Sequence, residues 1–331
     1  MRYTPLFIFN RPITQASPMD PLSDILSLIR PDNYLSAGFD IAAPWAIQFP
    51  DQGQNIKTAA VVKGECWLAV DSVADPVHLK TGDCVLLPHG KAFLMGSSLD
   101  APAMEAGKTF KPTGFGQIRT LNGGGDCLVA SSRFGLKGPQ ADLLLRMLPP
   151  LVVIRDRTES TELRYCIERT MAEMRKNDPG SKLILQHLAH MMLIQALRMY
   201  LNEDAKGVGW FFALADPQIS TAISAIHAAP ARNWTVERLA QTAAMSRSAF
   251  AARFKDKVGQ SPMTYLTHWR MLLAGEKLLN SREPISQISL SLGYESESAF
   301  SAAFKRVMGC APRGYSKSME SIPLPVGSGR P

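Results

Sequence analysis

The sequence predicts an α+β multidomain protein in which a β-rich domain is followed by a helical connector and an all-α domain. Three observations support this fold class: closely spaced strand patterns in the first third, helical periodicity in the middle, and a repeated helical unit near the end. At 331 residues the chain exceeds one ordinary core and fits two or three domains. Its composition, 46% hydrophobic and 20% charged, is typical of a soluble globular protein.

Residues 20–135 contain short runs of strand-forming residues separated by turn signals. The turn signals are Lys63-Gly64, Thr81-Gly82-Asp83 and Pro88-His89-Gly90. Strands this short and this closely spaced are typical of a small β-barrel or sandwich. The predicted strands are Phe39–Ile41, Ala46–Phe49, Thr58–Val62, Cys66–Val70, Pro76–Leu79, Asp83–Leu87 and Ala92–Met95.

Few residues of this β-rich part suit catalysis or metal binding. A metalloenzyme barrel needs two or three histidines and a glutamate on facing strands. Only His78 and His89 are available, and His89 lies in a Pro-Gly turn where we expect it to be exposed. We therefore expect no catalytic residue, no metal and no cofactor, and a metal-dependent enzyme is the disfavoured alternative. A small-molecule pocket would have apolar walls, for which Trp45, Trp67 and Phe93 are candidates unless they belong to the core.

The five cysteines are Cys66, Cys84, Cys127, Cys166 and Cys310. Their odd number and wide spacing suggest neither a disulfide framework nor a zinc knuckle. Free buried thiols are the simpler interpretation. A cysteine-based redox regulator is the alternative, with Cys66, Cys84 or Cys127 as the responsive thiol.

Residues 161–205 have helical periodicity. Thr161 to Lys176 carries its charges on one face, and Leu183 to Leu201 is apolar but interrupted by polar residues, which predicts a buried helix and no membrane span. His187 and His190 are three residues apart and could share a metal, although a packing or capping role is commoner. An apolar helix here suits a dimer interface, and covering the β domain is the alternative. Because the N-terminus also lacks a signal peptide pattern, we expect a cytoplasmic protein.

The positive charge is confined to the last third of the chain. Residues 231–331 contain 14 Lys and Arg against 7 Asp and Glu, whereas residues 1–230 contain 22 of each. The whole net charge of +7 therefore lies after residue 230. Such a localised excess is expected of a domain that faces a polyanion.

A twenty-residue segment of this basic part occurs twice, fifty residues apart. Ser246–Tyr265 and Ser296–Tyr315 share ten of their twenty residues. In each copy a serine is placed to N-cap a helix, two phenylalanines share one face, and a glycine can end the helix in the left-handed conformation. A shorter apolar helix, Val236–Ala243 or Ile285–Leu292, precedes each copy. A short helix, a three-residue turn and a capped second helix form a helix-turn-helix.

Thr264 to Asn280 is predicted to form one helix that joins the two units, with Leu266, Trp269 and Leu272 among its packing residues. Two units held by such a helix could present two recognition helices to successive major grooves, which recur about every 34 Å along the duplex. The alternative is a plain helical repeat whose capped helices only pack together.

Two parts of the sequence resemble known families. The segments SRSAFAARFKDKVGQSPMTYL and ISQISLSLGYESESAFSAAFKRVMGCAP make the run from Trp234 to Tyr315 resemble the DNA-binding domain of the AraC/XylS regulators. This resemblance implies two helix-turn-helix subdomains that bind promoter DNA. The segments GECWLAV and LKTGDCVLLPHGKAF resemble the cupin-type sensor domain found ahead of some of these domains, although Phe93 stands where a metal-binding cupin would have a histidine. The expected architecture is thus an N-terminal cupin-like β-barrel, a helical connector and a C-terminal all-α domain with two helix-turn-helix subdomains joined by a linker helix.

The outward faces of the two capped helices are the predicted DNA contacts. The predicted residues are Ser246, Arg247, Ser248, Ala251, Ala252 and Lys255 in the first unit and Ser296, Glu297, Ser298, Ser301, Ala302, Lys305 and Arg306 in the second. Arg270 of the linking helix is predicted either to pack or to bind DNA, and Arg253 is a candidate for a phosphate contact. Family members usually have arginine where Ala252 and Ala302 stand, and alanine cannot hydrogen-bond a guanine. Tight binding therefore does not follow from the resemblance.

We expect a sequence-specific transcription regulator controlled by a small-molecule effector at its N-terminal domain. Its expected partners are double-stranded promoter DNA, a second copy of the chain and, if it is an activator, RNA polymerase. The predicted segments are an N-terminal extension (1–19), the cupin-like sensor domain (20–155), a helical connector with the dimerisation region (156–215), the double helix-turn-helix domain (216–320) and a disordered tail (321–331).

Overall fold

A computed structural model describes residues 20–29, 32–53, 55–110, 115–135, 145, 148–155, 161–176, 178–202 and 208–315. The predicted N-terminal extension and C-terminal tail lie outside these residues. Within the described ranges, no helix has the length and apolar character needed to cross a membrane.

The N-terminal part consists of two β-sheets. Its strands are β1 (Asp32–Ile41), β2 (Ala46–Phe49), β3 (Asn55–Lys63), β4 (Glu65–Val70), β5 (Val77–Lys80), β6 (Cys84–Leu87), β7 (Phe93–Gly96), β8 (Ala103–Glu105), β9 (Gln117–Leu121), β10 (Cys127–Gly135) and β11 (Val152–Ile154). One sheet has the order β11-β6-β3-β10-β1-β9, and the other has the order β5-β4-β7-β2-β8.

The expected closed barrel is wrong, because no strand pairing among the described residues joins the two sheets. The chain passes from β3 in one sheet to β4 in the other through a tight turn at Gly64, whose φ is 78°. A Cβ at Gly64 would lie 2.0 Å from the Asp126 carbonyl oxygen, so this turn requires glycine. After the turn each strand pairs within its own sheet, β3 with β6 and β4 with β5. The result is a two-layer sandwich, the other form that the turn spacing allowed.

Both faces of the six-stranded sheet are covered. Val85 and Leu87 of β6 lie in the core between the two sheets, whereas Cys84 and Leu86 lie in a second core on the outer face. A strand buried on both faces needs apolar residues without alternation, which explains the run CVLL.

Helices cover the outer face of this sheet. They are α1 (Pro21–Ile29), α3 (Thr161–Lys176) and α4 (Ser181–Asn202), while the short α2 (Ala106–Thr109) lies beside β2 and β8. Helix α4 contacts β1, β6 and β11, and α3 packs along α4.

The buried helix predicted around Leu183–Leu201 is buried on one side only. Leu193 and Leu197 of α4 belong to the outer core. On the opposite side Leu183 is 59% and Met191 44% exposed. Helix α4 therefore has apolar residues on two faces. One face packs on the sheet and the other is open to solvent.

The C-terminal part is helical, as predicted. Its helices are α5 (Trp210–Ala213), α6 (Pro217–Ala228), α7 (Val236–Thr242), α8 (Arg247–Val258), α9 (Pro262–Asn280), α10 (Ile285–Ser291) and α11 (Glu297–Met308). Apolar residues of α5 to α9, among them Trp210, Phe250 and Trp269, continue the outer core of the β-rich part. Residues of α10 and α11, such as Ile288 and Phe304, form a separate core against α9. The first helix-turn-helix is thus fixed to the β-rich part, and the second is joined to it through α9.

Candidate nucleic-acid interface

The first helix-turn-helix consists of α7 and α8. The Ser246 hydroxyl accepts from the backbone N–H of Ala249 at 3.4 Å, and Gly259 ends α8 with a φ of 79°, so the predicted cap and stop are confirmed. Phe250 and Phe254 are fully buried. Since both rings point inward, the opposite face of α8 is left to solvent.

The second helix-turn-helix repeats this arrangement with α10 and α11. Ser296 accepts from the backbone N–H of Ala299 at 3.2 Å, Gly309 ends α11 with a φ of 79°, and Phe300 and Phe304 are fully buried. The turn between the two helices is one residue longer than in the first unit, since α10 ends at Ser291 and α11 starts at Glu297. Position 286 of α10 therefore corresponds to position 237 of α7.

The faces predicted to contact DNA are open to solvent in both units. The exposed members are Ser246, Arg247, Ser248, Ala252 and Lys255 of the first unit and Ser296, Ser298, Ala302, Lys305 and Arg306 of the second; Ala251, Glu297 and Ser301 are half-buried. Each helix thus presents a narrow surface of small residues with a lysine in its last turn.

Arg247 and Arg253 of α8 both make ion pairs, but in different surroundings. The Arg247 Nε lies 2.6 Å from Glu237 Oε1, and both side chains are well exposed. The Arg253 Nε lies 2.7 Å from Oδ2 of Asp216, a buried carboxylate that also caps α6. Arg253 therefore ties α8 to α6, which is a positioning role and differs from the phosphate contact expected of it.

Arg270 of α9 connects three segments. Its Nε donates to the Pro230 carbonyl at 2.7 Å and its Nη2 to the Arg232 carbonyl at 3.0 Å, and its guanidinium lies 5.5 Å from the centre of the Tyr294 ring. Gly293 lets the second turn approach closely, because a Cβ there would lie 2.3 Å from the Ala231 carbonyl oxygen. The sequence allowed either packing or a DNA contact for Arg270, and these contacts are the packing alternative. They set the orientation of one helix-turn-helix unit relative to the other.

A buried hydrogen-bond chain links helix α1 to the helical part, and nothing in the sequence pointed to it. His227 Nδ1 lies 3.0 Å from Asp24 Oδ2, and its Nε2 lies 2.8 Å from the Tyr265 hydroxyl. Because a carboxylate only accepts, Nδ1–H donates to Asp24 and the Tyr265 O–H donates to Nε2. The ring also stacks on Trp269 with centres 3.7 Å apart. Burial lowers the pKa of His227, and the neighbouring Asp24 only partly opposes this effect.

The three residues predicted to line an effector pocket do not lie together. Trp45 and Phe93 are buried between the sheets. Trp67 is 37% exposed and stacks on the His78 ring with centres 4.6 Å apart, outside that core. Only Trp45 and Phe93 therefore face the space between the sheets.

A buried lysine that sequence reasoning missed lies beside Phe93. Lys57 of β3 is 4% exposed, and its Nζ lies 4.0 Å from the centre of the Phe49 ring and 4.6 Å from that of Phe93. Burial, followed by the positive charge of Arg133 on the neighbouring strand, lowers the pKa of Lys57 well below its usual range. Burying a lysine in an apolar core is costly, which marks this place as unusual.

His89 and His190 have hydrogen-bond partners in the backbone. His89 is half-buried and its Nε2 lies 2.9 Å from the Leu148 carbonyl oxygen, so the expected exposed turn histidine is wrong. His190 Nδ1 lies 2.7 Å from the Gln186 carbonyl oxygen, while His187 is exposed. Across the part of the chain that the structure describes, no group of three His, Cys, Asp or Glu side chains could hold a metal.

The cysteines are free thiols, and Cys66, Cys84, Cys127 and Cys166 are buried while Cys310 is partly exposed. Burial raises the pKa of Cys84 to about 12. A hydrogen bond with Cys127, together with burial, raises the pKa of Cys66. Because the thiolate is the reactive form, Cys66 and Cys84 are held in their unreactive state. The same hydrogen bond lowers the pKa of Cys127, but this thiol is buried as well, so the redox alternative gains no support.

Two capped helices with equivalent exposed faces, in a domain that holds all the excess positive charge, define a DNA-binding protein of the double helix-turn-helix class. Comparison with known proteins agrees. The cupin family matches residues 20–202, and a helix-turn-helix domain family matches residues 239–318. The chain belongs to the AraC-like transcription regulators, and it is a sequence-specific DNA-binding regulator with a cupin-type N-terminal domain.

The relatives match about nine tenths of the chain. An AraC-like transcription regulator of Streptomyces lividans is 39% identical over 301 residues, which cover 90% of this chain and 98% of that one. An HTH-type transcriptional regulator of Haemophilus influenzae is 29% identical over 303 residues, which cover 91% and 99%. Among solved structures, the DNA-binding domain of AdpA in complex with a target DNA is 28% identical and covers 32% of this chain and 95% of its own, with a TM-score of 0.30. The predicted family and regulatory function are confirmed.

Proposed function

We propose that α8 and α11 enter successive major grooves of promoter DNA and contact it with their exposed faces. The observation that carries this proposal is the equivalence of the two faces, which have the same caps, the same buried phenylalanines and the same exposed lysine. The proposed contacts are Ser246, Arg247, Ser248, Ala251, Ala252, Lys255, Ser296, Glu297, Ser298, Ser301, Ala302, Lys305 and Arg306. Arg270 orients the two units, since its Nε and Nη2 donate to two backbone carbonyls, and a DNA contact through its remaining donors is the alternative.

The side chains within each face have separate roles. Lys255, Lys305 and Arg306 are long, exposed cations suited to phosphate oxygens. Ala252 and Ala302 let the helix backbone approach the groove floor but supply no hydrogen bond, so the affinity is lower than an arginine at these positions would give.

Fluorescence anisotropy tests this proposal. The full-length chain is titrated with a labelled duplex from its own upstream region and with a scrambled duplex, each at several salt concentrations. Tighter binding to the upstream duplex, with a steep loss as salt rises, is the expected result. A sequence-specific interface would be contradicted if the chain binds the upstream and the scrambled duplex equally and binds duplexes enriched from a random library no more tightly than either.

The N-terminal domain, we propose, binds a small-molecule effector between its two sheets. Support comes from Lys57, whose ammonium group faces two phenylalanine rings, and from Trp45, whose buried Nε1 has no acceptor among the described residues. A buried lysine, and a buried N–H without an acceptor among the described residues, are both costly in a core, and a ligand acceptor would relieve that cost. An effector acts on DNA binding only if it binds the DNA-competent arrangement with a different affinity.

A thermal-shift screen of small molecules tests the effector site. Ligands that raise the melting temperature of the native chain should also change its DNA affinity, and Lys57→Met should respond less to them. Ligands that act equally on Lys57→Met and on the native chain would place the effector site elsewhere.

A homodimer formed through α4 is also proposed. Leu183, Ile184 and Met191 of this helix and Tyr165 of α3 are large apolar side chains that are 39% to 59% exposed. Light scattering should show a dimer that Leu183→Glu converts to a monomer, while the neighbouring exposed residue Lys182, changed to glutamate, leaves the mass unchanged. A native monomer at micromolar concentration would contradict this interface. If the protein is an activator, RNA polymerase is its further partner.

The protein, we propose, acts in the cytoplasm as a regulator and has no catalytic activity. The relatives named above are transcription regulators. The two histidines of the β-rich part serve as packing groups, His78 against Trp67 and His89 against a backbone carbonyl. Stoichiometric metal in the purified protein would contradict this proposal.

A further inference from the structure

The repeat places opposite charges at one structural position. Arg247 and Glu297 each follow the N-cap serine directly and are the first residues of α8 and α11. The surrounding residues are otherwise the same in both copies, Ser-x-Ser-Ala-Phe. In a helix-turn-helix the first residues of the recognition helix contact the base edges. The two recognition helices therefore differ in charge at the end that faces the bases.

The neighbours of these two side chains also differ. Arg247 is paired with Glu237 of the preceding helix, whereas Ser286 occupies the corresponding position before Glu297. The ion pair described for Glu297 is with Arg313, at 3.6 Å between Nη2 and Oε1, and the Arg313 side chain is 84% exposed. A pair at this distance with one largely exposed partner is weak, so the Glu297 carboxylate can exchange Arg313 for another partner.

A carboxylate in a DNA interface has a narrow choice of partners. Phosphate groups repel it, and of the base edges in the major groove it accepts best from the cytosine N4 amino group. An arginine in the same place donates to the O6 and N7 atoms of guanine. Arg247 can turn from Glu237 to such a base because both side chains are exposed.

From this juxtaposition we infer that Arg247 and Glu297 make the two half-sites asymmetric. Arg247 reads a guanine in the half-site under α8, and Glu297 reads a cytosine at the equivalent position of the half-site under α11. This inference rests on the proposed DNA interface and specifies what it recognises. The competing explanation is that Glu297 only stabilises the N-terminus of α11 through the helix dipole, a role that needs no DNA base.

Selection from a randomised duplex library tests the inference. The full-length chain should enrich a two-part motif with guanine in one half and cytosine at the equivalent position of the other, about one helical turn apart. Glu297→Gln should lose the cytosine preference and keep the other half-site unchanged, and Arg247→Gln should do the reverse. Glu295→Gln, an exposed glutamate just before the N-cap, is the matched control and should select the native motif.

Affinity measurements separate base reading from helix stabilisation. On the enriched duplex Glu297→Gln should bind about 5- to 150-fold more weakly than the native chain. On a scrambled duplex it should bind equally or more tightly, because a negative charge near the phosphates is gone. An unchanged motif, or an equal loss on both duplexes, would overturn the inference while leaving the DNA interface in place. A native chain that enriches no motif at all would overturn the DNA interface itself.

Discussion

Replacing Ala252 and Ala302 by arginine should tighten DNA binding, and by unequal amounts. Both alanines are exposed at equivalent positions of α8 and α11. A new arginine–DNA contact contributes about 1–3 kcal/mol, which is about 5- to 150-fold in affinity. Each arginine should also steepen the dependence of log K on log salt by about 0.9, since it neutralises one more phosphate.

The two sites differ in the residue one helical turn further on. Asp256 lies four residues after Ala252. An arginine at position 252 can therefore pair with Asp256 in the free protein and must partly give up that pair on DNA. Arg306 lies four residues after Ala302. An arginine at position 302 is therefore repelled by Arg306 in the free protein, and a DNA phosphate relieves that repulsion. Such pairs contribute about 0.2–0.5 kcal/mol each. Ala302→Arg should therefore gain about 0.4–1 kcal/mol more affinity than Ala252→Arg.

Anisotropy titrations at four salt concentrations, with the native chain, both single variants and the double variant, measure these effects. Ala228→Arg at the exposed end of α6 adds the same charge outside both helix-turn-helix units and is the control. If Ala228→Arg changes affinity and slope as much as the other two variants, only net charge matters and the placement of the recognition faces is refuted. Unchanged binding in both recognition-helix variants would refute it equally.

Three further sets of predictions concern the Asp24–His227 pair, Lys57 and Arg270. Asp24→Ala should lower the free energy of unfolding by about 1–3 kcal/mol at pH 7.5 in urea titrations, because it leaves the His227 Nδ1–H without an acceptor. Since the folded pKa of His227 lies below its ordinary value of 6.5, stability of the native chain should fall as the pH drops below about that value, and a constant stability down to pH 5 would contradict the buried neutral imidazole. Lys57→Met should raise the free energy of unfolding by about 1–4 kcal/mol and with it the melting temperature. Lys63→Met on the same strand is the control and should leave both nearly unchanged. Because the pKa of Lys57 is lowered, this gain should shrink as the pH rises toward 10.5, and a gain that is independent of pH would exclude the buried charge as its cause. Arg270→Met should weaken binding to a duplex with both half-sites while leaving the affinity and salt slope for a single half-site unchanged; a slope reduced by about one would instead identify a direct phosphate contact.

The helical part of the fold was predictable from the sequence because its signals are local. The caps Ser246 and Ser296, the phenylalanine pairs and the stops Gly259 and Gly309 each act within a few residues, and the structure has all of them. The fifty-residue repeat made each copy a check on the other.

The β-rich part was predictable only where turns mark it. Strands β3 to β7, which flank the recognised turns, were found together with β2 and the last three residues of β1, whereas β8 to β11 were missed. Strand β10 pairs with β1 and β3, almost a hundred and about seventy residues earlier, and β11 pairs with β6. Such pairings depend on distant partners, and for the same reason turn spacing could not tell a closed barrel from a sandwich.

The groups that position the site also have long-range partners. Arg270 packs against residues about forty positions earlier, and His227 bonds to Asp24 across 203 positions. The burial of Lys57 depends on two strands of the opposite sheet. No local pattern reports such contacts, so the sequence predicted the exposed faces of the interface, left the role of Arg270 open and gave no sign of His227 or Lys57.

We propose that α8 and α11 contact DNA at the same time. The salt dependence of binding to the enriched duplex, measured for the native chain, Lys255→Ala, Lys305→Ala and the double variant, tests it most directly. Each single variant should lower the slope by about 0.9 and the double variant by about 1.8, because each lysine releases its own counterion. A slope that responds to only one of the two lysines, or to neither, would contradict an interface made by both helices.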